Sequence, residues 1–233
     1  MEAFVYRHGD IALTGWLARP ATEPKAAIVL YPTIANRDSA MDRRALMLTE
    51  QGFLVMIADH YGVVPQSPEQ IHELANELRS DPQHYRSRAT AAFDALREHV
   101  GSLPIAAVGY CLGGQAALEA ARSGCDLVLA ASFHGLLDTA MAAEPGVITA
   151  RMLILHGDAD PLVPRDSVIA FFEEMDRAGG RWHFHAYSGV RHGFTDPQSD
   201  LRDFDAVAYD ASADRQSWRA LLDALEEVLE ETP

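Results

Sequence analysis

The sequence predicts an α/β fold built on a doubly wound, mostly parallel sheet with an antiparallel start. Short, continuous apolar runs recur from residue 26 onward, as in strands that are buried on both faces of a parallel sheet. Segments with helical periodicity alternate with these runs. Before residue 20, by contrast, the pattern alternates as in an ordinary hairpin. Together these three observations indicate the fold class.

Eight strands are predicted. The first two show alternating side chains and are joined by a turn that contains Gly9. The other six are short apolar runs bounded by loops rich in glycine, proline or polar residues. In order, the predicted strands span residues 3–7, 11–19, 26–31, 54–58, 105–110, 127–133, 152–156 and 182–187.

Helices are predicted in most of the intervals between the apolar strands. The first has Asp38 or Ser39 as its N-cap and Gly52 as its terminator. Three others begin at a proline, which is favoured in the first turn. The interval between residues 133 and 152 is too short for a large lid. The predicted helices span residues 38–51, 68–79, 82–100, 113–122, 164–178 and 212–231.

The composition is that of an ordinary globular protein, and we expect one domain over residues 1–233. Nineteen basic residues against 34 acidic residues give a formal net charge of −15. This charge repels nucleic-acid phosphates and anionic lipid, so we expect neither nucleic acid nor a membrane as a partner. The expected partner is a small-molecule substrate. The sequence leaves the oligomeric state open.

The two cysteines, Cys111 and Cys125, are too few for a disulfide framework and match no metal-binding spacing. The N-terminal residues do not have the pattern of a signal peptide. No apolar run is long enough to cross a membrane. We therefore expect a cytoplasmic protein with reduced thiols, no metal and no cofactor.

One motif carries chemistry. The segment Gly109-Tyr110-Cys111-Leu112-Gly113 lies where a predicted strand turns into a helix, which is the G-x-S-x-G nucleophile elbow with cysteine in place of serine. Such a turn holds the nucleophile above the sheet, and the N-terminus of the following helix favours a thiolate and then an oxyanion. The alternative is a buried cysteine in a glycine-rich packing turn.

A thiol nucleophile needs a base, and the base needs a carboxylate to orient it. In this class of fold the order along the chain is nucleophile, acid, histidine. Asp160 follows the predicted strand 152–156, and His192 follows the strand 182–187. Asp158 is the alternative acid. By itself His192 would be read as a solvated loop histidine, but its place after Cys111 and Asp160 favours a catalytic role.

On these motifs the chain resembles the dienelactone hydrolases of the α/β-hydrolase superfamily, over nearly its whole length. The resemblance implies the α/β-hydrolase fold and metal-free hydrolysis of lactone or related ester bonds. The matching residues form three motifs: Gly109-Tyr110-Cys111-Leu112-Gly113-Gly114, His156-Gly157-Asp158-Ala159-Asp160 and Arg191-His192-Gly193-Phe194.

The resemblance also implies roles for particular residues. Cys111 occupies the position of the nucleophile, Asp160 that of the acid and His192 that of the base. The backbone N–H groups of Leu112 and Ile34 match the family's oxyanion hole.

The sequence departs from the family pattern at two places. Thr33 stands where the family's characteristic enzymes have a glutamate beside the resting cysteine. Those enzymes also bind a substrate carboxylate with arginines, one of them just after the catalytic histidine, and residues 193–197 contain none. Candidate replacements are Arg79, Arg86, Arg88 and Arg191, although each also fits a solvated charge.

Three residues are candidates for the wall of the substrate site because they follow strands at the same edge of the sheet. They are Thr33, Tyr61 and His134. The second and third fit a packing or structural role as well.

The sequence therefore predicts a hydrolase of small lactones or esters with an open cleft. Two alternatives remain. One is a thioesterase or general carboxylesterase, and the other is a catalytically silent binding or thiol-sensing module on the same fold.

Overall fold

The computed structural model describes residues 1–231, and the eight strands found there form one mixed sheet. The order across the sheet is β1-β2-β4-β3-β5-β6-β7-β8. The pairs β1–β2 and β2–β4 are antiparallel, and each neighbouring pair from β4 across the sheet to β8 is parallel. The strands are β1 (Glu2–His8), β2 (Ile11–Ala18), β3 (Ala27–Tyr31), β4 (Leu54–Ile57), β5 (Ile105–Tyr110), β6 (Leu129–Phe133), β7 (Arg151–Gly157) and β8 (Arg181–Tyr187).

Helices cover both faces of the sheet. Buried side chains of α1 and α6 pack in one core, while those of α2, α3, α4 and α5 pack in a second core on the other face. A short 3₁₀ helix spans Pro197–Leu201. The α-helices are α1 (Ser39–Glu50), α2 (Pro68–Ser80), α3 (Pro82–Val100), α4 (Leu112–Arg122), α5 (Arg165–Ala178) and α6 (Ala211–Glu230).

The predicted α/β-hydrolase fold, with a doubly wound sheet and no large lid, is confirmed. The predicted elements agree with the observed ones to within two residues at each end. Asp38, rather than Ser39, caps α1 through a 2.9 Å bond from the backbone N–H of Met41. The 3₁₀ helix was not predicted. Residues 232 and 233 of the predicted domain lie outside the described residues.

Burial on both faces of the sheet explains why the inner strands are continuous apolar runs. Every residue of β3, β4, β5, β6 and β7 is buried, because helices cover both sides of these strands. The outer strands β1 and β8 alternate in exposure. Within residues 1–231, no helix has the length and apolar character that crossing a membrane requires.

Buried charges connect α3, α4 and α5. The guanidinium of Arg122 is fully buried and donates to both carboxylate oxygens of Glu174, at 2.9 and 2.7 Å. It also bonds Glu119 at 3.0 Å and the carbonyl of Leu137 at 2.8 Å. Glu119 in turn accepts from Arg86 at 2.7 Å. A buried carboxylate that lost its arginine would be left partly unpaired, so this network fixes how the three helices pack.

We expect Arg122→Met to lower the free energy of unfolding by about 3–5 kcal/mol, because it leaves buried carboxylates without their cation. The matched control is Arg181→Met. Arg181 pairs with Glu231 at the surface, where both side chains are about half exposed, so its loss should cost no more than about 1 kcal/mol. Urea unfolding of the two variants measures the difference, and equal losses would contradict the structural role of the network.

Candidate active site

The nucleophile elbow depends on unusually close backbone contacts. Cys111 connects β5 directly to α4 with φ 55° and ψ −119°, a left-handed conformation that non-glycine residues adopt at a cost. The turn closes because two neighbours lack side chains. A Cβ on Gly109 would lie 1.9 Å from the carbonyl oxygen of Gly113, and a Cβ on Gly113 would lie 2.1 Å from that of Tyr31. These two glycines allow α4 to begin directly above the sheet.

The loops that follow β7 and β8 bring an acid and a histidine together. His192 Nδ1 lies 2.7 Å from Asp160 Oδ2, and both side chains are buried. The other oxygen of Asp160 accepts a 2.8 Å bond from the N–H of Leu162. Asp158, the alternative acid, instead pairs with Arg165 at the surface. The structure therefore places Asp160, and not Asp158, against His192.

His192 interacts with Cys111 on the other side of its ring. Its buried Nε2 has no nitrogen or oxygen partner in the described part of the chain, and Cys111 is the neighbour that raises its pKa most. Burial raises the pKa of Cys111, but the charge of His192 and hydrogen bonds to the sulfur lower it below the ordinary thiol value. Burial likewise lowers the pKa of His192, and the charge of Cys111 with the bond to Asp160 raises it overall, to about 10. The pair therefore favours thiolate and imidazolium at neutral pH.

Two backbone groups contribute to this shift. The N–H groups of Leu112 and Ile34 both lie near the sulfur of Cys111 and lower its pKa. Leu112 is the first residue of α4, where backbone N–H groups have no partner within the helix. Ile34 lies in the loop after β3. The structure thus brings together the two N–H groups for which the family resemblance implies an oxyanion hole.

The space in front of Cys111 is small. A cavity of about 30 Å³ lies there. It is enclosed by α1 and by the segment 195–207 that follows His192. The cleft is therefore narrower than the open cleft expected from the sequence. The end of that segment pairs with His192 through the carbonyl of Ala206 and the N–H of Ala208, the next residue along the chain.

The three candidate wall residues occupy different places. Thr33 and His134 line the cavity. Tyr61 is not among the lining residues, and its hydroxyl instead donates to the carbonyl of Ile34 at 2.9 Å. Tyr61 therefore acts on the loop that carries an N–H donor rather than on the cavity itself.

His134 contacts the base edge-on. Its ring centroid lies 5.0 Å from that of His192, in a T-shaped arrangement. Its Nε2 lies 3.0 Å from the Thr195 hydroxyl. Burial, together with the charges of His192 and Arg44, holds the pKa of His134 well below the usual histidine value. His134 is thus a neutral neighbour that adds no second positive charge beside His192.

None of the four arginines proposed from the sequence lines the cavity. Arg86 belongs to the buried network, and Arg88 donates to the carbonyl of His60 at 2.6 Å. Arg191 donates to the carbonyl of Asp205 at 3.0 Å, and Arg79 lies exposed on α2.

Sequence reasoning missed the three arginines that do line it, which are Arg43, Arg44 and Arg202. Arg44 pairs with Asp214, and Arg202 pairs with Asp196. Arg43 makes no ion pair within residues 1–231 and donates to the carbonyl of Thr195 at 3.0 Å. The available signal was that α1 follows β3 from the same edge of the sheet as the elbow.

Metal ligands are not assembled here. Among the described residues, no group of three or more histidine, cysteine, aspartate or glutamate side chains is arranged to hold a metal ion.

Comparison with known proteins places this geometry in a family. A family model described as "Dienelactone hydrolase family" matches residues 13–229. A structure of a dienelactone hydrolase-like promiscuous phosphotriesterase from metagenomic libraries is 29% identical, covers 97% of each chain and superposes with a TM-score of 0.89.

Two curated proteins are also similar. An uncharacterised Caenorhabditis elegans protein is 35% identical over 146 residues, which cover 61% of this chain and 92% of that protein. A Bradyrhizobium protein named as a probable 2-oxo-3-(5-oxofuran-2-ylidene)propanoate lactonase is 25% identical over 226 residues, covering 89% and 86% of the two chains.

We expect Cys111 to be alkylated by iodoacetamide well below pH 8.5, the region where an ordinary thiol ionises. His192→Ala removes the cation that lowers the pKa of Cys111, so the reactivity profile should move to higher pH. Thr33→Glu should move it in the same direction by adding a negative charge beside the sulfur. Mass spectrometry of alkylation against pH measures all three proteins.

Cys125 is the internal control for this experiment. Burial raises its pKa to about 11, so it should remain unmodified over the range in which Cys111 reacts. An ordinary profile for Cys111 that His192→Ala leaves in place would contradict the ion pair.

Proposed function

This chain belongs to the dienelactone hydrolase family, and we propose that it hydrolyses small lactones or carboxylic esters through Cys111, His192 and Asp160. The observation that carries the proposal is the convergence of three groups, one of them held by a buried carboxylate, on one sulfur. These groups are a histidine bound to a buried carboxylate and two backbone N–H donors. This arrangement has a nucleophile, a proton carrier and a site for developing negative charge.

In the first half of the reaction, the Cys111 thiolate attacks the carbonyl carbon, and a C–S bond forms as the carbonyl electron pair moves to oxygen. The N–H groups of Leu112 and Ile34 stabilise this oxyanion. The intermediate then collapses, and the bond from carbon to the leaving oxygen breaks. The imidazolium of His192 gives its Nε2 proton to that oxygen, which leaves a thioester on Cys111. In a lactone the released hydroxyl stays attached to the acyl group.

In the second half, neutral His192 takes a proton from water through Nε2, and the resulting hydroxide adds to the thioester carbon. Collapse of this second intermediate breaks the C–S bond and restores the thiolate and imidazolium. Asp160 accepts the Nδ1–H bond throughout, which fixes the ring orientation and stabilises the imidazolium. Substrate, water and protons balance, so the cycle needs no further reactant.

The cavity favours substrates with little bulk at the reacting carbonyl. A volume of about 30 Å³ leaves room for only a few atoms beside Cys111, unless the segment 195–207 moves. Arg43 lines the same cavity without an ion-pair partner among the described residues. The similar Bradyrhizobium protein is named for a propanoate lactone. We therefore propose that the preferred ester or lactone carries a carboxylate, which Arg43 binds.

Hydrolysis of phosphotriesters is a second candidate. The similar metagenomic structure is described as a promiscuous phosphotriesterase. A thiolate that faces two N–H donors would suit attack at phosphorus as well as at carbon, because both reactions place negative charge on an oxygen beside the attacked atom. A neutral phosphotriester should therefore be tested as a substrate beside the esters.

We expect the purified protein to hydrolyse p-nitrophenyl acetate and to keep its rate in the presence of a chelator. Cys111→Ala should lower kcat/KM by several orders of magnitude, because it removes the only nucleophile of the proposed triad. Cys111→Ser should retain a small fraction of the activity, since a hydroxyl is a weaker nucleophile at neutral pH. Release of p-nitrophenol measures each rate.

Cys125→Ala is the matched control and should leave the rate unchanged. Full activity in Cys111→Ala would overturn the mechanism. A protein that reacts once with peroxide and turns over neither esters nor phosphotriesters would instead be the thiol-sensing module.

A second prediction concerns substrate charge. We expect Arg43→Met to raise KM for an ester bearing a carboxylate by about 10- to 100-fold, the loss of one charge-assisted hydrogen bond. KM for a neutral ester of the same size should change little. Steady-state kinetics on the two esters measure both KM values. An equal rise in KM for both esters would show that Arg43 only supports the fold of the site.

A further inference from the structure

The loop after β3 carries one of the two N–H donors and has little regular structure of its own. It runs through residues 32–36, and its N–H donor belongs to Ile34. The other donor, Leu112, is held by α4. A helix keeps its N-terminal N–H groups aligned, whereas a loop needs other contacts to hold a donor to within a few tenths of an ångström. Those contacts come from one place in the fold.

Three consecutive residues after β4 bond the loop at three points. Asp59 Oδ1 accepts a 2.9 Å bond from the side-chain amide of Asn36. His60 Nε2 lies 2.9 Å from the carbonyl of Pro32, which can only accept. The Tyr61 hydroxyl donates to the carbonyl of Ile34 at 2.9 Å. We call residues 59–61 the clamp. Its contacts span the loop from residue 32 to residue 36.

The clamp is itself fixed. Besides Asn36, the carboxylate of Asp59 accepts bonds from the N–H groups of Thr14 at 2.9 Å, Tyr61 at 2.9 Å and Gly62 at 3.0 Å. It is buried, and its partners are neutral N–H donors. Burial lowers the pKa of His60 to about 4, so this ring is neutral and serves as a hydrogen-bond donor. The clamp therefore ties the loop to β2 and to the end of β4.

The clamp holds the peptide group between Thr33 and Ile34, which presents the N–H donor. The Ile34 N–H and the Thr33 carbonyl belong to the same peptide plane, and that carbonyl accepts a 2.9 Å bond from the N–H of Asn36. Asn36 has φ 63°, a conformation that asparagine tolerates better than most residues. Its side chain is held by Asp59 and by the His60 N–H, at 2.9 and 3.1 Å. A movement of Asn36 would rotate the plane that presents the Ile34 N–H.

We propose that Asp59, His60 and Tyr61 are positioning residues that aim the Ile34 N–H at the reacting centre. The proposal rests on the proposed function, in which this N–H binds the oxyanion. It assigns Tyr61 to the support of a donor rather than to the wall of the substrate site. Oxyanion donors act only when preorganised at about 2.7–3.1 Å from the charge they stabilise, so even a small displacement of the loop weakens catalysis.

The principal variant is Tyr61→Phe, which removes the hydroxyl and keeps the ring. Its matched control is Tyr31→Phe. Tyr31 is also buried, and its hydroxyl also donates to a backbone carbonyl, that of Ala89 at 2.7 Å. Both variants lose one buried hydrogen bond, so their unfolding midpoints should fall by similar amounts. Only Tyr61→Phe loosens the loop that carries Ile34.

The first measurement is the pH profile of Cys111 alkylation, which needs no ester substrate. We expect Tyr61→Phe to move the profile upward by about half a pH unit or more. The reason is that an Ile34 N–H group held less firmly beside the sulfur stabilises the thiolate less. Tyr31→Phe should match the wild type. A Tyr61→Phe profile that coincides with that of Tyr31→Phe would overturn the proposal.

The second measurement is ester turnover. We expect Tyr61→Phe to lower kcat by about 10-fold with KM within about twofold of the wild type, a part of the roughly 10²- to 10³-fold loss that removing a donor causes. If the wild type hydrolyses no ester, the proposed function fails, and the alkylation profiles still decide whether the clamp positions Ile34.

Asn36→Gly keeps the test decisive if Tyr61→Phe does not fold. Glycine suits the positive φ of residue 36, so the turn is retained while the bonds to Asp59 and His60 are lost. We expect the same upward shift of the alkylation profile, and in that case an unshifted profile overturns the proposal.

Discussion

The close approach of α4 to the sheet is the constraint on which the site depends. Cys111 links strand and helix in one left-handed residue, and this is possible only because Gly109 and Gly113 leave backbone atoms in contact. The result places a sulfur at the end of β5 and the N-terminus of α4 beside it. All the other groups of the site lie at the same edge, because parallel strands bring their carboxyl ends together.

The charged residues that line the cavity beside that sulfur are mostly positive, whereas the chain as a whole is negative. The protein carries a formal net charge of −15, yet three arginines line the cavity beside Cys111. Burial opposes ionisation of both Cys111 and His192, and their mutual attraction outweighs it. Asp160 supports the imidazolium, while His134 stays neutral and adds no competing charge. A thiolate is thereby favoured before substrate binds.

The two N–H donors are held by different means. Leu112 takes its orientation from α4, and the Tyr85 hydroxyl bonds its carbonyl at 2.6 Å. Ile34 depends on contacts from residues that follow β4. The network of Arg122, Glu119 and Glu174 joins the helices behind the site. Helix packing and loop anchoring together supply the rigidity that preorganised donors require.

The fold class, nearly every helix and strand, and the positions of Cys111 and His192 could be predicted from the sequence, with Asp160 preferred to Asp158. These features are local: buried strands appear as apolar runs, and the elbow requires glycine at fixed distances from the nucleophile. It took the three-dimensional contacts to show that Asp160 rather than Asp158 faces His192, that the Tyr61 hydroxyl bonds the loop of Ile34, and that Arg43, Arg44 and Arg202 line the cavity. The same contacts place residues of the segment 195–207 along the cavity. Each of these results depends on contacts between loops far apart in the chain, and periodicity carries no information about where such loops meet.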